Sequence, residues 1–317
     1  MNSAATIARS GGDAGPGQPG AALVLAAGPM RAEIRPEAGG RIAALWREDP
    51  KGRRVDVLVP MPAGAFDPFR WPKAGLYPLV PFSNRIRDAR LRAGGRDVRL
   101  PAQPGEAHAV HGFGQRKAWR AEAAKDAGIV LRLAHDPAAD PDEGWPWAFT
   151  AWQRLALDAS GLTQELAVTN RGAEPMPAGL GSHPFFAVAP GDRVQFSLDG
   201  MWDLDAAGFP TGLRALTGRE RLYDRPHGTE GVTLFGAGFS GIASIQRRDG
   251  SRVVIETGAP LDHIVFHVPP GGGACCLEPV SHVADAFNLS EAGVAGTGAR
   301  MLAPGETLRA IVRIGLA

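Results

Sequence analysis

The sequence predicts an all-β protein, built as one large domain of antiparallel strands. Glycine and proline interrupt the chain often, with 42 glycines and 27 prolines among 317 residues, nearly twice their usual share of about 12%. Between these interruptions lie short runs in which apolar and polar residues alternate, the pattern of half-buried strands. Helical periodicity with capping residues is limited to a short window near Asp285 to Glu291.

The first strands are predicted to follow a flexible N-terminal tail. Residues 1 to about 20 end in GGDAGPGQPG, and the β domain is expected to span 21–317 because no linker-like segment interrupts it. The segment AALVLAAG lacks a nearby charged region and is short for a signal peptide. Leu23 to Trp46 is predicted to form two strands around the turn Glu37 to Gly40, whose glycines allow positive φ.

Alternation predicts the remaining strands. Arg154 to Leu157 and Leu162 to Asn170 are predicted to form a hairpin, joined by Asp158 to Gly161. The apolar positions of the other strands are Ile129, Leu131 and Leu133, then Val194, Phe196 and Leu198, and finally Leu308, Ala310, Val312 and Ile314, with Arg309 and Arg313 directed outward.

Charge and cysteine content exclude several classes of partner. The 34 basic residues are balanced by 33 acidic ones, so no overall field would attract nucleic acid. Apolar runs are too short to cross a bilayer, and we expect no membrane partner. Cys275 and Cys276 are adjacent, and neighbours in a strand point to opposite faces and rarely bridge. We therefore expect a reduced, cytoplasmic protein.

Glu278 is the strongest candidate for a chemical role, within CCLEPVSHVADAFN from Cys275 to Asn288. It follows the apolar run Ala274 to Leu277, and Pro279 is expected to end that strand. A carboxyl partly buried at a strand end would have its pKa raised toward neutrality, which suits a general base. The alternative is a surface glutamate before a turn.

Two clusters earlier in the chain carry groups that suit a sugar. Asn84 and Arg85 place an amide and a guanidinium after an apolar stretch, and planar donors of this kind bind hydroxyls. His111 precedes Gly112, where backbone can approach a ligand closely, and Trp119 would cover an apolar sugar face. The alternatives are a surface salt bridge for the arginine and a satisfied core histidine.

His183 lies in the third cluster, GSHPFF. Its ordinary pKa of about 6.5 lets it donate a proton near neutral pH, and Pro184, Phe185 and Phe186 are expected to fix and wall the ring.

Metal, nucleophile and nucleotide chemistry find little support. His263 and His267 would share one face of a strand, but no carboxylate or thiolate set with ligand spacing accompanies them. The sequence also lacks a nucleophile elbow, a P-loop and a dinucleotide fingerprint. We expect neither a metal nor a cofactor.

In their order and spacing, the clusters resemble the aldose 1-epimerase (galactose mutarotase-like) family, from about residue 23 to 317. The matching pieces are FSNRI, HGFGQRKAW from His111, NRG and GLGSHPFF from Asn170 to Phe186, PTG from Pro210, and CLEPVSH with DAFN around Glu278. The resemblance implies a large antiparallel β-sandwich (a supersandwich), an open cleft for a monosaccharide, and no metal in catalysis.

By motif, the resemblance implies Glu278 as the general base and His183 as the general acid. It also implies that Asn84, Arg85 and His111 bind the sugar. One departure concerns an aspartate that binds sugar hydroxyls in the family. This chain gives no clean match for it, although Asp224 and Glu230 are candidates.

Three functions stay open. The first is an aldose 1-epimerase acting on a free hexose or a related aldose, as a monomer or homodimer. The second is a mutarotase for a charged sugar such as a hexose 6-phosphate. It is motivated by Arg85, Arg87, Arg90 and Arg92, although alternation puts the first two and the last two on opposite faces. The third is a non-catalytic sugar-binding protein, which would not need an acid and a base together.

Overall fold

The computed structural model describes residues 6–10, 22–123 and 128–316. Within these residues the strands are β1 (Thr6–Ser10), β2 (Ala22–Ala27), β3 (Met30–Arg35), β4 (Arg41–Glu48), β5 (Arg54–Asp56), β6 (Leu76–Leu79), β7 (Arg85–Ile86), β8 (Arg90–Ala93), β9 (Arg96–Arg99), β10 (Ala109–Val110), β11 (Arg120–Ala123), β12 (Gly128–His135), β13 (Phe149–Asp158), β14 (Gly161–Asn170), β15 (Met176–Ala178), β16 (Gly181–Pro184), β17 (Arg193–Ser197), β18 (Gly200–Leu204), β19 (Pro210–Ala215), β20 (Leu222–Pro226), β21 (Val232–Ala237), β22 (Ile242–Gln246), β23 (Arg252–Thr257), β24 (His263–Val268), β25 (Cys276–Val280), β26 (Arg300–Leu302) and β27 (Thr307–Leu316). Helical structure in the described part consists of α1 (Ala286–Glu291) and the 3-10 turns Arg87–Ala89, Pro141–Glu143 and Gly218–Arg221.

Two large antiparallel sheets form the sandwich, as predicted. One has the strand order β1-β2-β3-β4-β6-β16-β25-β24-β21-β18-β19, with β5 paired to β4. The other has the order β11-β12-β13-β14-β27-β23-β22-β17-β20. Three two-stranded ladders, β7 with β10, β8 with β9 and β15 with β26, lie outside both sheets.

The apolar faces of both sheets meet in one core. Leu25 and Ile34 from the first sheet lie in the same buried cluster as Leu131 and Leu155 from the second. Strand β27 shows how alternation builds this core, because its residues alternate between exposed and buried along most of its length. The predicted hairpin is confirmed, with β13 and β14 paired from Phe149↔Asn170 to Asp158↔Gly161.

A second, smaller apolar cluster lies on the outer face of the first sheet. Its members include Tyr77, Phe185, Val265 and Cys276, whereas the adjacent Cys275 belongs to the core between the sheets. Neighbours in extended chain point to opposite faces, so the chain at the start of β25, with Cys275 bridged to Phe186 and Cys276 in the strand, separates the two clusters. Glu278, two residues after Cys276, and His183, which pairs with Tyr77, lie on this outer face.

The prediction for Leu23 to Trp46 is wrong in strand number. The turn before β4 is present, but β2 and β3 form an additional hairpin closed by Ala27↔Met30, with Gly28 in the left-handed region at φ 53. A two-residue turn of this kind needs positive φ, which glycine supplies at little cost. The Gly-Pro pair was therefore the missed signal.

The predicted N-terminal tail falls largely outside the described residues, which omit 1–5 and 11–21. Thr6–Ser10 is described, and it pairs with β2 in register Thr6↔Ala26 to Ser10↔Ala22. The short helix expected near Asp285 is confirmed as α1. In the described ranges no helix has the length and apolar character needed to span a bilayer.

Candidate active site

The register of the first sheet brings Glu278 and His183 together. His183 of β16 pairs with Tyr77 of β6, and β16 pairs with β25 at Gly181↔Val280. Continuing that antiparallel register by two residues places His183 opposite Glu278. Residues separated by two in a strand share a face, so both side chains lie on the outer face of the sheet.

Glu278 is buried, with 3% of its surface exposed. Its Oε1 lies 3.3 Å from Nε2 of His183, and its Oε2 has no hydrogen-bond partner among the described residues. Burial raises the pKa of Glu278 to about 8, against the opposing charges of Lys73 and Arg85. The sequence-based expectation of a raised pKa is confirmed.

The expectation that Pro279 ends the strand is wrong. Strand β25 continues through it to Val280, with Ile264↔Pro279 and Val265↔Glu278 paired across β24. On its other side, β25 pairs with β16 only at Gly181↔Val280, so the ladder does not need an amide hydrogen from Pro279 there. Glu278 consequently lies within a central strand of the sheet, which makes its position rigid.

His183 is held between two aromatic rings. Its ring lies 4.5 Å from that of Tyr77 and stacks on Phe185 at 4.7 Å and 17°. Phe185 thus walls the imidazole as expected, whereas Phe186 lies in the core between the sheets. This difference follows from alternation, which directs successive residues to opposite faces.

The pKa of His183 departs from the sequence-based expectation. Burial, followed by the neighbouring His111 and Lys73, lowers it well below its usual value. Desolvation disfavours the charged form of both partners, so the unliganded pair is most stable as protonated Glu278 beside neutral His183. The pair then holds one transferable proton across its 3.3 Å contact.

Asn84 and His111 are locked to one another. The backbone N–H of Asn84 donates to Nδ1 of His111 at 3.1 Å, and the His111 N–H donates to the Asn84 carbonyl at 2.7 Å. Both residues have positive φ, 55 and 62, which is unusual for residues with side chains and often marks functional sites.

The hydrogen bond to Nδ1 fixes the tautomer of His111. Because Nδ1 accepts, the ring proton of the neutral imidazole sits on Nε2. Burial, then the charges of Lys73 and Arg85, lowers the pKa of His111 to about 3. His111 therefore stays neutral at physiological pH and offers one N–H donor to the pocket.

The VSH and DAFN pieces hold the segment that carries Asn84 and Arg85. Nε2 of His282 accepts the backbone N–H of Ser83 at 3.1 Å, and Oδ1 of Asp285 accepts that of Arg87 at 3.0 Å. These side chains are far away in sequence and act on backbone rather than on a ligand. Their part in the motif is to position residues 83–87.

Arg85 lines the pocket and also makes a salt bridge. Its Nε and Nη2 donate to the two carboxylate oxygens of Glu106 at 2.9 and 3.0 Å. The guanidinium of Arg85 is therefore fixed at the rim of the pocket, and the side chain is 43% exposed. The salt bridge considered from the sequence is therefore present, and binding of sugar hydroxyls by Arg85 stays a prediction.

One open cavity of about 320 Å³ joins the predicted residues. Its lining includes all five, namely Asn84, Arg85, His111, His183 and Glu278. The chain also contributes Lys73, Thr233 and His267 to this lining, and none of these was predicted as a sugar contact. The ring of His267 is held by Thr233, whose Oγ1 lies 2.8 Å from Nδ1.

Lys73 is the most informative of the missed residues. Its Nζ lies 5.0 Å from the centre of the Trp71 ring, and no carboxylate of the described residues lies within the 4.0 Å of an ion pair. It comes from the loop before β6, where no alternation or motif distinguishes it. Only the folded chain shows that it faces the pocket.

Several sequence-based candidates lie elsewhere. Trp119 is buried in the core between the sheets, where its Nε1 donates to the Gly114 carbonyl at 2.8 Å. Asp224 lies on β20 and pairs with Arg193, and Glu230 is exposed. None of the three candidates, Trp119, Asp224 and Glu230, lines the cavity.

Gly112 has a different role from the one expected. A Cβ at this position would lie 2.4 Å from the carbonyl oxygen of Val80, and its φ is 65. Glycine is thus required for the chain to pass the Val80 backbone.

One set of metal-ligating groups also occurs at this site. His183, Cys276 and Glu278 each offer a ligand atom, and these atoms lie within 4.8 Å of one another. The pair considered from the sequence, His263 and His267, has other contacts, since His263 binds Asp262 at 2.8 Å. Spacing along the chain could not reveal the set because His183 comes from a different strand.

Comparison with known proteins places the chain in a family. The sequence model for aldose 1-epimerase matches residues 22–315. The uncharacterized protein YphB of Escherichia coli (strain K12) is 29% identical over 299 residues, covering 89% of this chain and 94% of that protein.

Solved structures agree over nearly the whole chain. A candidate aldose 1-epimerase from Escherichia coli K12 matches with a TM-score of 0.78 and 26% identity, over 93% of this chain and 98% of that one. A galactose mutarotase-like protein from Clostridium acetobutylicum matches with a TM-score of 0.79 and 22% identity, over 94% and 95%. With the family model spanning 22–315, this chain belongs to the aldose 1-epimerase family.

Proposed function

We propose that this protein is an aldose 1-epimerase that interconverts the α and β anomers of a free hexose or related aldose. The observation that carries the proposal is the contact of 3.3 Å between Glu278 Oε1 and His183 Nε2 in a cavity open to solvent. Ring opening needs a base at O1 and an acid at O5. Because both oxygens are bound to C1, these two groups must lie side by side.

The reaction proceeds by paired proton transfers. Carboxylate Glu278 takes the proton of the O1 hydroxyl while protonated His183 gives its proton to O5. The C1–O5 bond breaks and C1 becomes an aldehyde. Rotation about C1–C2 exposes the other face, and the transfers run in reverse when O5 attacks C1 again.

The remaining residues hold the sugar. Neutral His111 donates through Nε2, and Arg85 and Asn84 supply further groups for hydroxyls from the same wall. Anomers interconvert unaided in water, and an acid and a base contribute about 10² to 10⁴ each. The proposed groups therefore suffice without a covalent intermediate.

The pH dependence tests the shared proton. We expect kcat/KM to stay level near neutral pH and to fall as pH rises through about 8. The reacting state, ionised Glu278 with protonated His183, holds the same number of protons as protonated Glu278 with neutral His183. Since burial raises the pKa of Glu278 to about 8, the pair keeps its proton below that pH and loses it above.

NMR exchange between anomers, measured over a pH series, gives this profile. The rate in buffer alone is subtracted at each pH, because hydroxide also opens the ring. A rate that increases through the same range would contradict the shared proton, since ionised Glu278 would then act without an acid on His183.

A second candidate, a mutarotase for an anionic sugar, is favoured by Lys73. The arginines that motivated this function are already paired, Arg87 with Asp205 and Arg90 with Asp97, and only Arg85 among the four lines the cavity. Lys73 lines the same cavity, and no described carboxylate pairs with it. A phosphate or carboxylate on the sugar would supply its missing partner.

We expect Lys73→Met to separate the two candidates. If the substrate is anionic, the variant loses a charge-assisted hydrogen bond, and kcat/KM for a hexose 6-phosphate falls about 10- to 100-fold. The neutral hexose serves as the internal control and should change little. Equal effects on both sugars, or turnover of the neutral sugar alone, would contradict the anionic candidate.

A further inference from the structure

The acid and base share their face of the sheet with a buried thiol. Cys276 and Glu278 are two residues apart in β25, so alternation puts both on the outer face. His183 reaches the same point from β16, and one ligand atom of each residue lies within 4.8 Å of the others. All three residues are buried.

The donor set matches the preferences of zinc. Imidazole, thiolate and carboxylate are its usual ligands, at about 2.0 to 2.3 Å. Ligand atoms around a tetrahedral ion of that size lie roughly 3.5 Å apart. The distance of 3.3 Å between His183 and Glu278 already fits, and the other separations, which lie within 4.8 Å, need a closure of at most about 1 Å.

A second observation also indicates a ligand at this point. Oε2 of Glu278 is buried and has no hydrogen-bond partner among the described residues. A buried carboxylate oxygen without a partner is costly, and a bound cation would satisfy it. Charge balance is favourable as well, since a divalent ion with one thiolate and one carboxylate is neutral.

We propose that His183, Cys276 and Glu278 form a Zn²⁺ site whose occupation switches off the acid–base pair. The metal would take the lone pair of His183 and the carboxylate of Glu278, so neither could transfer a proton. Its fourth position would face the cavity and accept water or a sugar hydroxyl. The site goes beyond the proposed function because it regulates turnover and has no part in it.

The chain contains a matched control for the thiol. Cys275 is the neighbouring residue and is also buried, with 0% exposure for both cysteines. It lies in the core between the sheets and exchanges backbone hydrogen bonds with Phe186 at 2.8 and 3.2 Å. Cys275→Ala and Cys276→Ala thus remove the same group from opposite faces of the chain at the start of β25.

Cobalt binding tests the site without any sugar. Co²⁺ replaces Zn²⁺ in such sites, and a thiolate ligand gives a near-ultraviolet charge-transfer band. We expect the fully reduced wild-type protein and Cys275→Ala to develop this band with one equivalent of Co²⁺, and Zn²⁺ to abolish it. Cys276→Ala should lack the band and bind Co²⁺ more than about 100-fold more weakly, because even outer partners of a metal contribute 10- to 100-fold.

Turnover supplies the second readout. Zn²⁺ should inhibit the wild type and Cys275→Ala, and a chelator should restore each protein to its own metal-free rate. Inhibition of Cys276→Ala should need a Zn²⁺ concentration that is higher by a similar factor, more than about 100-fold. Circular dichroism checks that each variant folds, and Cys276→Ser replaces Cys276→Ala if the latter does not.

Two results would overturn the site. One is a wild-type protein that shows no charge-transfer band when titrated with Co²⁺. The other is a band that persists in a folded Cys276 variant. Both are read without substrate, so a protein that binds cobalt but interconverts no anomers would count against the proposed function and leave the metal site standing.

Discussion

Glu278→Gln is expected to lower kcat for anomer interconversion by roughly 10² or more while sugar binding changes little. Glutamine keeps the shape of the side chain and its contact with His183, but it cannot accept the proton of the O1 hydroxyl. Polarimetry of fresh α-anomer gives the rate, and calorimetry gives the affinity.

Glu230→Gln is the matched control for this substitution. It replaces a carboxyl by an amide in the same way, but Glu230 is exposed and lies outside the cavity lining, so its rate should match the wild type. Full activity in Glu278→Gln would exclude Glu278 as the base. A wild-type protein that binds sugar and accelerates no tested anomer would instead favour the non-catalytic sugar-binding reading.

Alternation in the sequence was enough to predict the fold class. The alternating runs became β12, β14, β17 and β27 because each has one apolar face to bury against the opposite sheet. The boundaries that failed, at Gly28 and Pro279, both depend on what the neighbouring strand requires. Whether a turn residue or a proline ends a strand depends on the hydrogen bonds that the neighbouring strand makes with it. The sequence does not specify which strand that neighbour is.

The site shows a similar division. Short motifs led to Glu278, His183, His111, Asn84 and Arg85, which share one cavity. Lys73 belongs to no motif, and Cys276 is part of CLEPVSH but received no role from the sequence, because the importance of both comes from distances across strands. For His183 the sequence identified the residue but not its pKa. Burial lowers that pKa, and burial is a property of the fold.

His183→Asn should also lower kcat by roughly 10² or more, because it removes the acid that protonates O5. The matched control is His267→Asn, which changes another histidine of the same cavity. His267 is held by Thr233 at 2.8 Å and has no proposed proton to transfer. We therefore expect its variant to alter KM more than kcat.

The double variant Glu278→Gln with His183→Asn decides whether the two groups act as one unit. Each single variant already breaks the paired transfer, since the base cannot work without an acid to protonate O5 at the same time. The double variant should then be scarcely slower than the slower single variant, as happens when residues share one step. Losses that multiply would contradict the pair, because they would show that Glu278 and His183 assist separate steps in spite of their 3.3 Å contact.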